Sequence, residues 1–172
     1  MKNNYLLAAL LSLTVSFKLQ AQHMDNHWII GEWQGDFKAL KTDGSGVYDL
    51  FENLILRVEP TLEGNGHHAN WFNSDGITYT GTSVRTYVND STWLNQWFNE
   101  PDKTWSDKIH YNVSEYTLTH ESTGEDKFGK FEMKRVHSYN PDTKLYTYKH
   151  HRKYEGYSSW WLIDEIEMKR LK

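Results

Sequence analysis

Residues 127–154 read KFGKFEMKRVHSYNPDTKLYTYKHHRKY and carry the clearest secondary-structure signal in the chain. Side chains alternate in character along both halves, as where Lys130, Glu132 and Lys134 are separated by apolar or aromatic neighbours. The tripeptide Asn140-Pro141-Asp142 between the halves favours a turn. Because a period of two is typical of β-strands, this stretch predicts an antiparallel hairpin with one face in water.

The same alternation extends over most of the remaining chain. Turn signals such as Ser74-Asp75-Gly76 separate the candidate strands, and residues 25–30 predict a short irregular or helical lead-in. About nine or ten closely spaced strands predict an all-β fold, a single antiparallel up-and-down β-barrel of about 8–10 strands. Closure removes the exposed sheet edges and leaves an interior wide enough for one small ligand. The predicted strands cover residues 54–59, 77–88, 91–98, 104–111, 116–121, 127–139, 144–154 and 157–170.

The composition excludes several classes of function. The 172 residues include no cysteine, which excludes a disulfide scaffold, a thiolate metal site and a cysteine nucleophile. A net charge of −4 argues against nucleic-acid binding through phosphates. Aromatic residues make up 15% of the chain, and buried Trp and Tyr need partners for their polar atoms.

The first residues predict a secretory signal peptide at 1–21, followed by a barrel domain at 22–172. Lys2 supplies a positive start, residues 6–15 form a short apolar run, and Ala21 provides a small residue before the expected cleavage point. The run is too short to span a membrane. We therefore expect the protein to be secreted or periplasmic, without a membrane span.

The predicted inner faces combine aromatic rings with cationic or titratable groups. Asp107 and Asp164 are the candidate inward carboxylates, and they are fewer than the cations. Burying an unpaired arginine costs several kcal/mol, so either internal acidic partners or a bound anion must satisfy these side chains. They can alternatively serve as structural struts at the rim, bonded to turn carbonyls. The inward cationic or titratable residues are Arg85, Arg135, His137, His150 and Arg152.

Several motifs resemble the bacterial lipocalin-like family of unknown function called DUF1579. Residues 30–37 (IGEWQGDF) are similar to the G-x-W opening of lipocalin-like barrels, in which the Trp closes the base of the barrel. Further similarity lies in residues 83–87 (SVRTY), in Asn140-Pro141-Asp142 and in residues 159–170 (SWWLIDEIEMKR). The resemblance spans most of residues 28–171 and implies the barrel fold, whereas barrels of this kind host many unrelated functions.

A second resemblance concerns small, secreted, aromatic-rich proteins of polysaccharide-utilisation loci. Some of these barrel proteins resemble oligosaccharide dehydratases that act in the breakdown of acidic algal polysaccharides such as ulvan. This resemblance implies a carbon-oxygen lyase acting on uronate-containing or sulfated oligosaccharides.

The residue types are compatible with that chemistry. An arginine fork can hold a carboxylate or sulfate, a neutral histidine can remove the C5 proton of a uronic acid, and a tyrosine can protonate the leaving oxygen. Aromatic rings can stack on the sugar. No cofactor is expected. The candidate catalytic residues are His137, His150, Tyr148 and Arg135, and the candidate substrate-binding residues are Arg85, Tyr87, Trp93, Trp97 and Arg152.

Three alternatives stay open at this point. One is a non-catalytic lipocalin-like protein that binds a small anionic or amphipathic ligand. Another is haem binding, which the W-x-G-x-G opening of some barrels favours, although Phe37 here replaces the second glycine. The third is a metal site formed across strands by His137, His150 and Asp107.

Overall fold

The computed structural model describes residues 27–61, 64–89 and 91–171; the predicted signal peptide at 1–21 lies outside them. The described ranges form eleven β-strands in chain order. These are β1 (Gly31–Leu40), β2 (Tyr48–Thr61), β3 (Gly66–Phe72), β4 (Tyr79–Asn89), β5 (Thr92–Asn99), β6 (Thr104–Trp105), β7 (Ile109–Ser114), β8 (Thr117–Asp126), β9 (Gly129–Asn140), β10 (Leu145–Tyr154) and β11 (Trp161–Arg170).

Ten of these strands close into an antiparallel barrel. Neighbours in the barrel follow one another along the chain, and the pairing of β1 with β11 joins its two ends. The two-residue strand β6 pairs with β5 outside the closed ring. The prediction of a single up-and-down β-barrel is therefore confirmed. Within the described ranges there is no helix long and apolar enough to cross a membrane.

The predicted strand at 104–111 is wrong in one respect, because it is interrupted. On β5, Phe98 pairs with Trp105 and Asn95 pairs with Ile109. The two β5 residues are three positions apart, whereas their partners are four positions apart, so the segment from Trp105 to Ile109 contains one extra residue. Such an offset is a bulge, which breaks the ladder locally. Asp107 lies in this interruption and is exposed; it is not the inward carboxylate that alternation predicted.

The start of the last strand also differs from the prediction. The strand begins at Trp161 rather than at residue 157. Alternation over 157–170 puts Trp160 on the same face as Ile166 and Met168, but Trp160 is 44% exposed in the preceding connection. A bulge on the β10–β11 pair lies next to it, since His150 pairs with Asp164 but His151 pairs with Leu162. The skipped residue, Ile163, shifts the alternation, and Trp161 consequently lies opposite Arg152.

Residues 27–30 and the start of β1 close one end of the barrel. The indole Nε1 of Trp33 donates a hydrogen bond to the Ile29 carbonyl at 2.8 Å, and Trp28 stacks on Tyr139 at 5.7 Å between ring centroids. Gly35 allows β1 to cross β11 closely, because a Cβ there would lie 1.9 Å from the Glu167 carbonyl oxygen. We call this the closed end. Its fully buried side chains include Trp33, Tyr146, Ile29, Leu56, Leu118 and Met168.

The opposite end is the mouth, where the β1–β2, β8–β9 and β10–β11 connections lie. The Lys127 ammonium group donates a hydrogen bond to the Thr42 carbonyl, which joins two of these connections. A cavity of about 460 Å³ lies between them and is lined in part by Asp126, Arg152, Tyr154 and Ile163. The mouth is therefore the end at which a ligand has access to inward side chains.

Candidate functional site

Strand β10 directs every second side chain into the barrel, and the cross-strand register fixes the level of each one. Successive inward residues are about 7 Å apart along a strand. The partners on β9 are also inward residues, so the predicted inner faces of both strands agree with the register. From the closed end to the mouth, the pairs are Tyr146 with Tyr139, Tyr148 with His137, His150 with Arg135, Arg152 with Met133, and Tyr154 with Phe131.

A buried triad of one histidine and two tyrosines lies near the closed end. His137 Nδ1 lies 2.8 Å from the Tyr146 hydroxyl, and His137 Nε2 lies 3.1 Å from the Tyr111 hydroxyl. Both ring nitrogens are therefore already engaged within the protein. His137 therefore has no ring nitrogen available for a ligand, and it lies one level further from the mouth than His150.

Arg85 lies beside this triad at the closed end. Its Nε donates to Asn95 Oδ1 at 3.1 Å, and its Nη1 lies 3.2 Å from His67 Nε2. No carboxylate of the described residues forms an ion pair with Arg85, and its side chain is almost completely buried. His67 must be neutral to accept this hydrogen bond, which places its own proton on Nδ1.

Burial keeps the deep histidines neutral. Desolvation, together with the charge of Arg85, holds the pKa of His67 well below its usual range. His137 has a strongly lowered pKa for the same two reasons, with a further contribution from Arg135. Burial also raises the pKa of the Tyr146 hydroxyl, so the two histidines and Tyr146 are neutral near pH 7 and the charge of this cluster is that of Arg85.

His150 is one level closer to the mouth and differs from His137 in its partners. Its Nδ1 lies 2.9 Å from Asp164 Oδ2, which fixes the proton on Nδ1 and leaves Nε2 as an acceptor. Arg152 Nε makes a long hydrogen bond of 3.4 Å to that Nε2. Burial lowers the pKa of His150, and the Asp164 carboxylate opposes this by raising it.

Arg152 is held at the mouth by an acidic residue that the sequence analysis did not identify. Its Nη1 donates to Asp126 Oδ2 at 2.6 Å, and the Tyr154 hydroxyl donates to the same oxygen at 2.9 Å. Burial raises the pKa of Asp126, but hydrogen bonds from the Phe128 amide and Tyr154, with the Arg152 charge, outweigh it and leave the pKa lowered. The guanidinium also lies 4.3 Å from the Phe131 ring centroid.

Arg135 and Tyr148 lie between the deep triad and the mouth. The Nε of Arg135 is buried without a hydrogen-bond partner, and no described carboxylate forms an ion pair with its guanidinium. Tyr148 packs against His137 with 4.6 Å between ring centroids. Burial raises the pKa of its hydroxyl, which keeps Tyr148 protonated.

The candidate aromatic residues divide between the core and the wall. Trp93 is 3% exposed and packs against His67 at 5.0 Å, so it belongs to the closed-end core. Trp97 and Tyr87 are half-buried on the inner face of the β4–β5 pair. The Arg152–Asp126 pair at the mouth is formed by other strands, β10 and β8.

The metal alternative is not supported by this arrangement. His137 bonds to two tyrosines, His150 bonds to Asp164, and Asp107 is exposed on another part of the surface. Over the described ranges no three histidine or acidic side chains gather as metal ligands.

No protein-family model matches the chain, and no curated protein matches it significantly in sequence. The resemblance to the lipocalin-like family of unknown function therefore stays a prediction, and the site is interpreted from its own geometry.

Proposed function

We propose that this protein is a secreted or periplasmic carbon-oxygen lyase that removes water from a uronic acid at the non-reducing end of an acidic oligosaccharide. The observation that carries the proposal is the His150–Asp164 pair: the other imidazole nitrogen, Nε2, lies 3.4 Å from Arg152 Nε, and Arg135 is the cross-strand partner of His150. A fixed neutral base next to two guanidinium groups matches the needs of proton removal beside a carboxylate.

The uronate carboxylate is bound by the guanidinium groups of Arg135 and Arg152. Neutral His150 takes the C5 proton through Nε2, and the electron pair moves toward the carboxylate, whose developing charge the arginines stabilise. The C4–O bond then breaks, a C4=C5 double bond forms, and Tyr148 gives its proton to the departing hydroxyl to form water. The His150 proton returns to Tyr148 through solvent, which restores both groups.

Asp164 has a positioning role in this scheme. It accepts the Nδ1 proton of His150 at 2.9 Å and so keeps Nε2 directed away from β11. The His150 pKa, lowered by burial, leaves the imidazole neutral at pH 7. The raised pKa of Tyr148 keeps the acid protonated at the same pH, so the two groups hold opposite protonation states as the reaction requires.

The direct test is a spectrophotometric assay with ulvan-derived oligosaccharides that end in a uronic acid. Formation of the unsaturated uronate gives new absorbance at about 230–235 nm, which follows from the base-catalysed step. Mass spectrometry of the product must show the loss of one water molecule. A decrease in chain length instead identifies a lyase that expels a sugar, and no change with any uronate oligosaccharide contradicts the proposal.

A second candidate is a protein that binds an anionic ligand without catalysis. The unpartnered Nε of Arg135 favours it, because an incoming carboxylate or sulfate would satisfy this buried donor. In that case the same oligosaccharides raise the melting temperature of the protein while the absorbance near 230–235 nm stays constant.

A further inference from the structure

Aromatic rings continue outward from the Arg152 level along the mouth. Phe131 and Tyr154 have ring centroids 5.6 Å apart, Tyr154 and Trp161 are 6.3 Å apart, and Trp161 and Tyr157 are 6.1 Å apart. We call these four residues the aromatic rim. The series begins at Phe131, which contacts the Arg152 guanidinium, and continues through Tyr154, which bonds Asp126, to the outer surface. It is therefore continuous with the candidate site.

The outer members of the rim are exposed. Tyr157 is 60% exposed and Trp161 is 45% exposed. Contiguous exposed rings next to a cavity mark an interaction surface. A groove of about 1050 Å³ runs along this side of the mouth and includes Phe131, Tyr154 and Tyr157 in its lining.

The groove and the inner site share Tyr154. This residue lines both the groove and the cavity that contains Arg152. An oligosaccharide with one sugar beside Arg152 can therefore extend its remaining sugars past Tyr154 onto the rim.

The charges of the groove differ from those of the inner site. Its lining carries two lysines and three glutamates, and Lys153 is 3.9 Å from Glu132 in an ion pair. This balance gives no net attraction for a polyanion, whereas Arg135 inside has no acidic partner among the described residues. The groove therefore suits an uncharged sugar. Its hydroxyl groups can form hydrogen bonds with the charged side chains of the groove, and its apolar face can stack on the aromatic rings. The charged groove residues are Glu125, Lys130, Glu132, Lys153 and Glu155.

We infer that the aromatic rim is a binding platform for the uncharged sugar units that follow a terminal uronate, so that the preferred ligand is an oligosaccharide of alternating acidic and neutral residues. This inference rests on the proposed function for the orientation of the chain. Loss of water at C4 requires a free C4 hydroxyl, so the rest of the chain extends in one direction only, through the anomeric oxygen and out of the mouth.

The test measures binding by calorimetry with chemically desulfated ulvan disaccharides, tetrasaccharides and hexasaccharides, using His150→Gln protein so that no turnover occurs. In protein that carries only the His150→Gln substitution, the affinity should rise about tenfold from the disaccharide to the tetrasaccharide. Trp161→Ala and Tyr157→Ala should abolish this gain. Trp105→Ala is the matched control, because Trp105 is 54% exposed on β6 and should have no effect.

The outcomes separate the two proposals. Equal affinity at all lengths, or a gain that survives both rim substitutions, overturns the platform whatever the absorbance assay gives. A length-dependent gain that the rim substitutions remove supports the platform even when no absorbance change is found, a result that overturns only the elimination. If none of the oligosaccharides binds, both proposals are wrong. Equal melting temperatures of the variants confirm that binding changes do not come from unfolding.

Discussion

His150 and Asp164 are directly opposite each other on β10 and β11, and their side chains meet with 2.9 Å between Nδ1 and Oδ2. The contact occurs at the last regular pair before the bulge at Ile163. Each residue of the pair is fixed by its own strand of the barrel, and the imidazole is 2% exposed. A base fixed in this way keeps one tautomer and one ring orientation.

Removing the base should nearly abolish activity. His150→Gln is expected to lower kcat/KM by about a hundredfold or more, because general-base catalysis contributes on that scale. His151→Gln is the matched control, since the neighbouring side chain points to the other side of the strand and should change the rate less than twofold. Equal effects of the two substitutions in the absorbance assay would remove His150 from its proposed role.

Asp164 should affect the rate through His150. Asp164→Asn removes the carboxylate that raises the His150 pKa and permits the wrong tautomer, so we expect kcat to fall about tenfold or more. The acidic limb of the pH–rate profile should also move to lower pH. A reduced rate with an unchanged profile would indicate a purely structural role for Asp164.

The pH dependence of the unsubstituted enzyme follows from the lowered pKa of His150. The neutral form of His150 is the active base, and burial holds its pKa below the usual value of about 6.5. Activity should therefore be constant from about pH 7 to 8 and should decline only as the pH falls through the lowered pKa. A profile of kcat/KM that already declines below pH 7.5 contradicts this assignment.

Arg135 should contribute mainly to binding. Arg135→Lys keeps the charge but loses the planar fork that holds a carboxylate, and the expected loss of kcat/KM is about 10–100-fold, from hydrogen bonds worth about 1.5–3 kcal/mol. Lys134→Ala serves as the control, because Lys134 pairs with Glu121 on the outer face. Unaltered kinetics in Arg135→Lys would show that this guanidinium does not contact substrate.

The stability of the fold should decrease in acid because of the two deep histidines. His67 and His137 have pKa values lowered by burial, so below about pH 6.5 the unfolded chain binds protons that the folded protein does not. Each histidine then reduces the free energy of unfolding by about 1.4 kcal/mol per pH unit. Above about pH 6.5 both histidines are neutral in the folded and the unfolded protein, and the stability is at its full value. It decreases progressively as the pH falls below this value.

Urea unfolding at several pH values measures this loss. His137→Gln removes one titrating group, so the slope of stability against pH between about 6 and 5 should be smaller in the variant. His110→Gln is an exposed control and should leave the slope unaltered. An identical slope in all three proteins would mean that His137 does not contribute to acid unfolding.

The period-two alternation of the sequence determines much of the fold of this protein. It gave the all-β class, the closed antiparallel barrel and the inward faces of β9 and β10, because a strand places successive side chains on opposite sides whatever its neighbours are. It therefore also gave Arg135, Tyr148, His150 and Arg152 as inward residues. The resemblance in residues 30–37 pointed to Trp33 at the base, which the structure buries at the closed end.

Only the tertiary structure decided which of these groups meet. Alternation gives a face but not a level, so His137 and His150 looked equivalent, whereas the register places one among tyrosines and the other beside Asp164. The bulge at Ile163 and the Asp126–Arg152 contact depend on how distant strands pair. The pKa shifts depend on burial, and burial arises only when the barrel closes.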